Sequence, residues 1–109
     1  MIPGLHYVIG PPGAGKTTWV AQHRSPGDLV LDLDALAVAL GSQTKDHHQR
    51  DHMPQHKSLA RWIWRPLSVK MEQMAKGANV GVWIIHSDPP PPVLSRYGKK
   101  GTVKVMKAR

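Results

Sequence analysis

The stretch Gly10-Pro11-Pro12-Gly13-Ala14-Gly15-Lys16-Thr17, continued by Thr18, constrains this chain more than any other. It satisfies G-x-x-x-x-G-K-[ST] at every fixed position, and average residue usage gives such a match by chance in roughly one chain of this length in 300. Glycines let a loop take positive φ and bring main-chain N–H groups against an anion. The positive end of a following helix adds to the same field. That mechanism needs a strand before the loop and a helix after it. Leu5 to Ile9 is apolar, aromatic and β-branched enough for the strand, and Lys16 to about His23 reads as the helix. By the mechanism of this motif, Lys16 neutralises β and γ phosphates, and Thr17 offers its hydroxyl to Mg²⁺.

The rest of the chain continues the alternation. Leu29-Val30-Leu31 reads as a second buried strand ending in Asp32-Leu33-Asp34, and residues 35–40 read as a short helix stopped by Gly41. Residues 42–54 are polar and histidine-rich, a mobile excursion. From about Gln55 to Lys76, Leu59, Ile63, Leu67 and Met71 recur near helical spacing, with Pro66 predicting a kink or break. Val80 to Ile85 is apolar enough to be a strand buried on both faces. Pro89 to Pro92 forbid regular structure locally. Val93 to Tyr97 reads as a helical turn, and Thr102 to Met106 as an edge strand. Strands alternating with helices predict an α/β fold: three layers, α/β/α, with a mainly parallel sheet of about four strands.

Length and composition bound the function class. A chain of 109 residues makes one small domain, residues 1–109. It has no cysteine, which excludes disulfides, thiolate metal sites and cysteine nucleophiles and fits a cytoplasmic protein. No apolar run approaches the ~20 residues of a membrane helix, so no membrane partner is expected. Residues 1–95 hold nine basic and seven acidic side chains, whereas 96–109 hold six basic and none acidic. That basic tail (Arg96, Lys99, Lys100, Lys104, Lys107, Arg109) suits a polyanion such as nucleic acid, or simply a solvated terminus.

With its Walker A stretch GPPGAGKTT, the DLD closing the second strand, and VGVWIIH followed by prolines and Arg96, the chain resembles P-loop NTP-binding domains. The nearer resemblance is to small P-loop kinases of the nucleoside, polynucleotide and shikimate type and to AAA-type kinase-like proteins of bacteriophages. The resemblance implies ATP with Mg²⁺ as cofactors, held by residues 10–18. It implies Asp32 on the metal side together with Thr17, and Asp34 as the base that orients or deprotonates the acceptor hydroxyl. Asp34 also fits the N-cap of the helix at 35–40. Lys16, Asp34 and Arg96, a lid arginine, form the implied catalytic set. Polynucleotide kinases carry an arginine a few residues after the second-strand acid, where this chain has Ala37 and Val38.

The remaining signals are weaker. Asp88, beyond the third strand, is a candidate for Mg²⁺ or an attacking water, or the opener of the proline turn. His48, His52 and His56 are spaced by four beside His47, which suits zinc on a helix, but Pro54 interrupts that helix; a substrate lid is the alternative. Arg61 and Arg65 are candidates for contact with an acceptor phosphate. Trp83 and Trp19 read as core, while one of Trp62 and Trp64 faces an acceptor pocket or a dimer seam; compared with the kinases it resembles, the chain is small, so a homo-oligomer completing the site in trans is one further expectation. The leading function is transfer of the γ-phosphoryl group of ATP to a hydroxyl or phosphate of a nucleoside, nucleotide or nucleic acid. The alternatives are an AAA-like ATP hydrolase and a nucleotide-dependent nucleic-acid-binding module.

Overall fold

A computed structural model of the chain describes residues 2–43, 52–77 and 80–107. In chain order the elements are β1 (Leu5–Ile9), α1 (Lys16–His23), β2 (Leu29–Asp32), α2 (Leu33–Ala39), α3 (Pro54–Gly77), β3 (Val82–His86), α4 (Pro91–Lys100) and β4 (Thr102–Val105). The four strands form one parallel sheet in the order β2-β3-β1-β4. The α/β class and the strand count agree with the sequence reading. Because every strand runs the same way, all four carboxyl ends share one edge. Ile9 pairs there with His86 and with Val105, and Asp32 pairs with Ile85.

The period of two along each strand sorts the core into two layers. Leu5, Tyr7, Ile9, Leu31, Val82 and Ile84 face α3, whose Met71 and Ala75 are buried, with Leu36 of α2 and Tyr97 of α4 packed alongside. Val8, Trp83 and Ile85 face the opposite way onto Val20 and Trp19 of α1. One helix therefore covers one face and three cover the other, giving the three-layer arrangement. Trp83 is core, and its indole N–H donates to Asp28 Oδ2 at 2.9 Å.

Three expectations change. Pro66 lies within α3 without ending it. It sits on the exposed face, and the opposite face of the helix is pinned to the sheet by Leu67, Met71 and Ala75. Pro54 opens α3 rather than interrupting it, and Pro91 and Pro92 open α4, because the first-turn positions need no amide hydrogen. The basic tail is built into structure: Arg96, Lys99 and Lys100 lie on α4, and Lys104 on β4 rests its ammonium 5.6 Å from the Trp19 ring. Ser42 and His52, near the ends of the polar segment expected to be mobile, are buried, and most of that segment lies outside the described residues. Residues 44–51, including His47 and His48, and Arg109 lie outside the described residues. Among the described residues no helix is long and apolar enough to cross a membrane.

The turn into β4 depends on close packing. A Cβ at Gly101 would overlap the carbonyl oxygen of Leu5, a main-chain atom that cannot swing aside. Gly101→Ala should therefore lower stability by about 1–3 kcal/mol in urea unfolding, whereas Gly98→Ala, in open space on α4, should not.

Candidate functional site

The loop between β1 and α1 closes tightly. Gly13 and Gly15 take φ of 82° and 87°, angles that side-chain-bearing residues rarely adopt, and Gly15 is the N-cap of α1. Its carbonyl accepts from Trp19 N–H at 2.9 Å, so the first amides of the helix are left without intrahelical partners. Gly10 is needed for a different reason: a Cβ there would lie 2.6 Å from the Met106 carbonyl oxygen as the chain leaves β4. Gly10 and Ala14 are buried, while Pro11, Pro12, Gly13, Thr17 and Thr18 are exposed along the loop and first turn.

Lys16 is only 7% exposed, and its Nζ donates to the carbonyls of Gly10 (2.6 Å) and Pro11 (2.8 Å), inside the loop. Burial lowers its pKa from the usual lysine value, while the Asp32 and then the Asp34 carboxylates pull it back up. The ammonium and both carboxylates therefore share one field. The ammonium and the positive N-terminal end of α1 together are what suit an anion in the loop.

Asp32 is the hinge of the site. Its Oδ2 accepts from Thr17 Oγ1 at 2.9 Å, and its Oδ1 accepts from Asp34 N–H at 3.0 Å. The second bond makes Asp32, in extended backbone at the end of β2, the N-cap of α2. The cap expected at Asp34 is thus corrected. The strand stops at Asp32, and Asp34 sits in the first turn of the helix, so the two carboxylates are not strand neighbours on one side. The Thr17 hydroxyl and the Asp32 carboxylate are hard oxygen donors next to one another. They fit Mg²⁺, which keeps several waters and takes few protein oxygens.

Asp34 is brought to the same edge and tied from an unforeseen direction. Its Oδ1 lies 3.0 Å from His52 Nε2, and its side chain remains 30% exposed. Burial foremost, then repulsion by Asp32, raises its pKa above the ordinary carboxylate value, against the pull of His52 and Lys16. His52 and His56 do not form the expected helix face, because α3 begins at Pro54. Among the described residues no cluster of three or more His, Cys, Asp or Glu suits a metal ion.

Leu33, next to Asp34 in sequence, lines a cleft of about 360 Å³ together with Arg61, Trp64, His86, Ser87 and Asp88. Trp64 and His86 also line a second cavity of about 520 Å³ between α3 and α4, where Arg65, Arg96, Tyr97 and Lys100 stand. Here the sequence reading divides. Arg61 and Asp88 reach the cleft, and Trp64 faces it while Trp62 is 74% exposed. Arg96 lines the α3–α4 cavity together with Arg65. His86 was overlooked as a lining residue. Its Nδ1 is 2.9 Å from the Tyr97 hydroxyl, and burial lowers its pKa against the pull of Asp88. No motif announces such a residue, since only the end of β3 brings it there.

A family model described as an AAA domain matches residues 5–82, from β1 into β3. No curated protein and no solved structure matches the chain. The matched span includes the loop, Asp32, Asp34 and His52, and stops short of His86 and Arg96.

If Asp32 acts as a cap, Asp32→Ala should cost about 1–2 kcal/mol in urea unfolding, and Asp32→Asn, which keeps an accepting oxygen, well under half of that. Equal losses in the two variants would mean that charge, not capping, holds the α2 terminus.

Proposed function

The chain belongs to the AAA domain family of P-loop nucleotide-binding domains, and from that premise we propose that it is a kinase moving the γ-phosphoryl group of ATP to a hydroxyl or phosphate acceptor. The observation that carries this reading is the second carboxylate. Asp32 is occupied by Thr17 and by the α2 cap, whereas among the described residues Asp34 is held through Oδ1 and its side chain stays 30% exposed, one residue along from Leu33 of the cleft lining. A nucleotide binder has no use for a desolvated acid in that place.

In this reading the amides of residues 13–17 and the Lys16 ammonium grip the β and γ phosphates of ATP. Mg²⁺ bound through Thr17 and Asp32 supplies charge neutralisation on the phosphate oxygens. Asp34 accepts the proton of the acceptor hydroxyl and orients that oxygen. Phosphoryl transfer asks little covalent work of the protein, so positioning and electrostatics carry the catalysis. The raised Asp34 pKa suits a base that must take a proton in the transition state. The cleft places an aromatic face, Trp64, beside Arg61, a pairing that suits a ring-bearing anionic acceptor such as a nucleotide or a nucleic-acid end. Exposed Lys99, Lys104 and Lys107 would add salt-sensitive contact to a longer strand.

Labelled ATP offered with deoxynucleosides, deoxynucleoside monophosphates and a 5′-hydroxyl oligonucleotide tests the proposal. Label should move to one acceptor; label found only as free phosphate would favour a hydrolase. Lys16→Ala should abolish the calorimetric signal of MgATP binding. Asp34→Asn should leave that affinity within about twofold while lowering transfer by roughly 10²–10⁴.

A further inference from the structure

Between α2 and α3 the described chain contains two buried polar side chains, His52 at 5% and Ser42 at 6% exposure, and they meet each other. Ser42 Oγ lies 2.5 Å from His52 Nδ1, and His52 Nε2 lies 3.0 Å from Asp34 Oδ1. An ionised carboxylate only accepts hydrogen bonds, so Nε2 carries the hydrogen and donates it to Asp34. In the neutral ring Nδ1 then accepts from the Ser42 hydroxyl.

We propose that His52 is the positioning residue of Asp34, fixed by Ser42 and holding one carboxylate oxygen so that the other is presented to the acceptor hydroxyl. This inference rests on the kinase reading above. Its geometry is anchored at both ends of one short helix. Asp34 stands in the first turn of α2, and Ser42 follows the last turn, its own N–H donating to the Ala37 carbonyl at 3.0 Å. The imidazole bridges the two from a residue two positions before α3. The long helix, the short helix and the base are thereby joined into one rigid unit. Without the bridge an aspartate turns freely about two torsions, and neither carboxylate oxygen keeps a fixed direction.

Two other roles do not suit the same trio. A serine nucleophile would need an accessible hydroxyl, and Ser42 is buried. A metal ligand would need a free ring nitrogen, and both nitrogens of His52 are engaged.

The test compares His52→Ala, His52→Gln, Ser42→Ala and Asp34→Asn in the full chain. It reads MgATP affinity by calorimetry and kcat and KM with labelled ATP and the same mixture of deoxynucleosides, deoxynucleoside monophosphates and 5′-hydroxyl oligonucleotide. A long-range ¹H–¹⁵N spectrum of the imidazoles supplies a readout that needs no turnover. His52→Ala should lower kcat roughly ten- to a hundredfold with MgATP affinity within twofold, the scale expected when a reacting group is misplaced by about an ångström. His52→Gln, whose amide can donate to the same oxygen, should recover most of that loss, and Ser42→Ala should fall between. The spectrum should show His52 as the Nε2–H tautomer, and its signals should move in Asp34→Asn. Should His52→Ala misfold, His52→Gln and the spectrum still decide. If Asp34→Asn abolishes transfer while His52→Ala keeps full kcat, positioning is refuted and the kinase reading stands. Equal loss in His52→Ala and His52→Gln, accompanied by loss of MgATP binding, would reduce His52 to a folding role and refute it as well. If the unaltered chain labels no acceptor, or Asp34→Asn transfers normally, the kinase reading falls and takes this inference with it.

Discussion

The Asp32 carboxylate is the joint on which the site turns. One oxygen receives the Thr17 hydroxyl from α1, and the other receives the amide that begins α2. Two helices on opposite faces of the sheet are thus referred to a single side chain at the end of β2. Remove it and the loop loses its register against the acid side of the site, while α2 loses the cap that directs Asp34. Parallel strands make this economical, because they deliver Ile9, Asp32 and His86 to one edge without any element having to double back.

Burial sets the electrostatic tone around that joint. Lys16 is inside the loop with only main-chain carbonyls on its ammonium, and Asp34 is partly desolvated beside a like charge. Each group is shifted toward its neutral form by loss of water and pulled back by the other. A polyphosphate entering the loop would meet a cation whose solvation has already been given up, which is how a preformed site avoids reorganisation cost at the moment of binding. The helix terminus at Gly15 adds a fixed positive field that no titration can remove.

In the histidine-rich stretch the proline outweighs the spacing, as the sequence reading allowed. A repeat of four suggests one helical face only if the helix is continuous, and α3 starts at Pro54, between His52 and His56. His52 instead turns inward to Asp34, and His56 Nδ1 is buried with no hydrogen-bond partner among the described residues. Other prolines were misread. Pro66, Pro91 and Pro92 looked like interruptions, yet two of them start a helix and the third rides an exposed face while its helix is held by packing behind it.

Short-range chemistry was written into the chain. The phosphate loop, the strand before it and the helix after it follow from glycine conformations, β-branched residues and a lysine whose spacing admits one use, and the alternation of apolar runs gave the parallel α/β sheet. Those signals are local, so no partner distant in sequence is needed to read them. Tertiary packing decided the rest: that Asp32 rather than Asp34 caps α2, that Arg96 stands with Arg65 between α3 and α4, and that His52 and Ser42 close on the proposed base. Each of those facts depends on which elements lie side by side, and side-chain contacts across 10 or 18 residues leave no periodic trace in a single sequence.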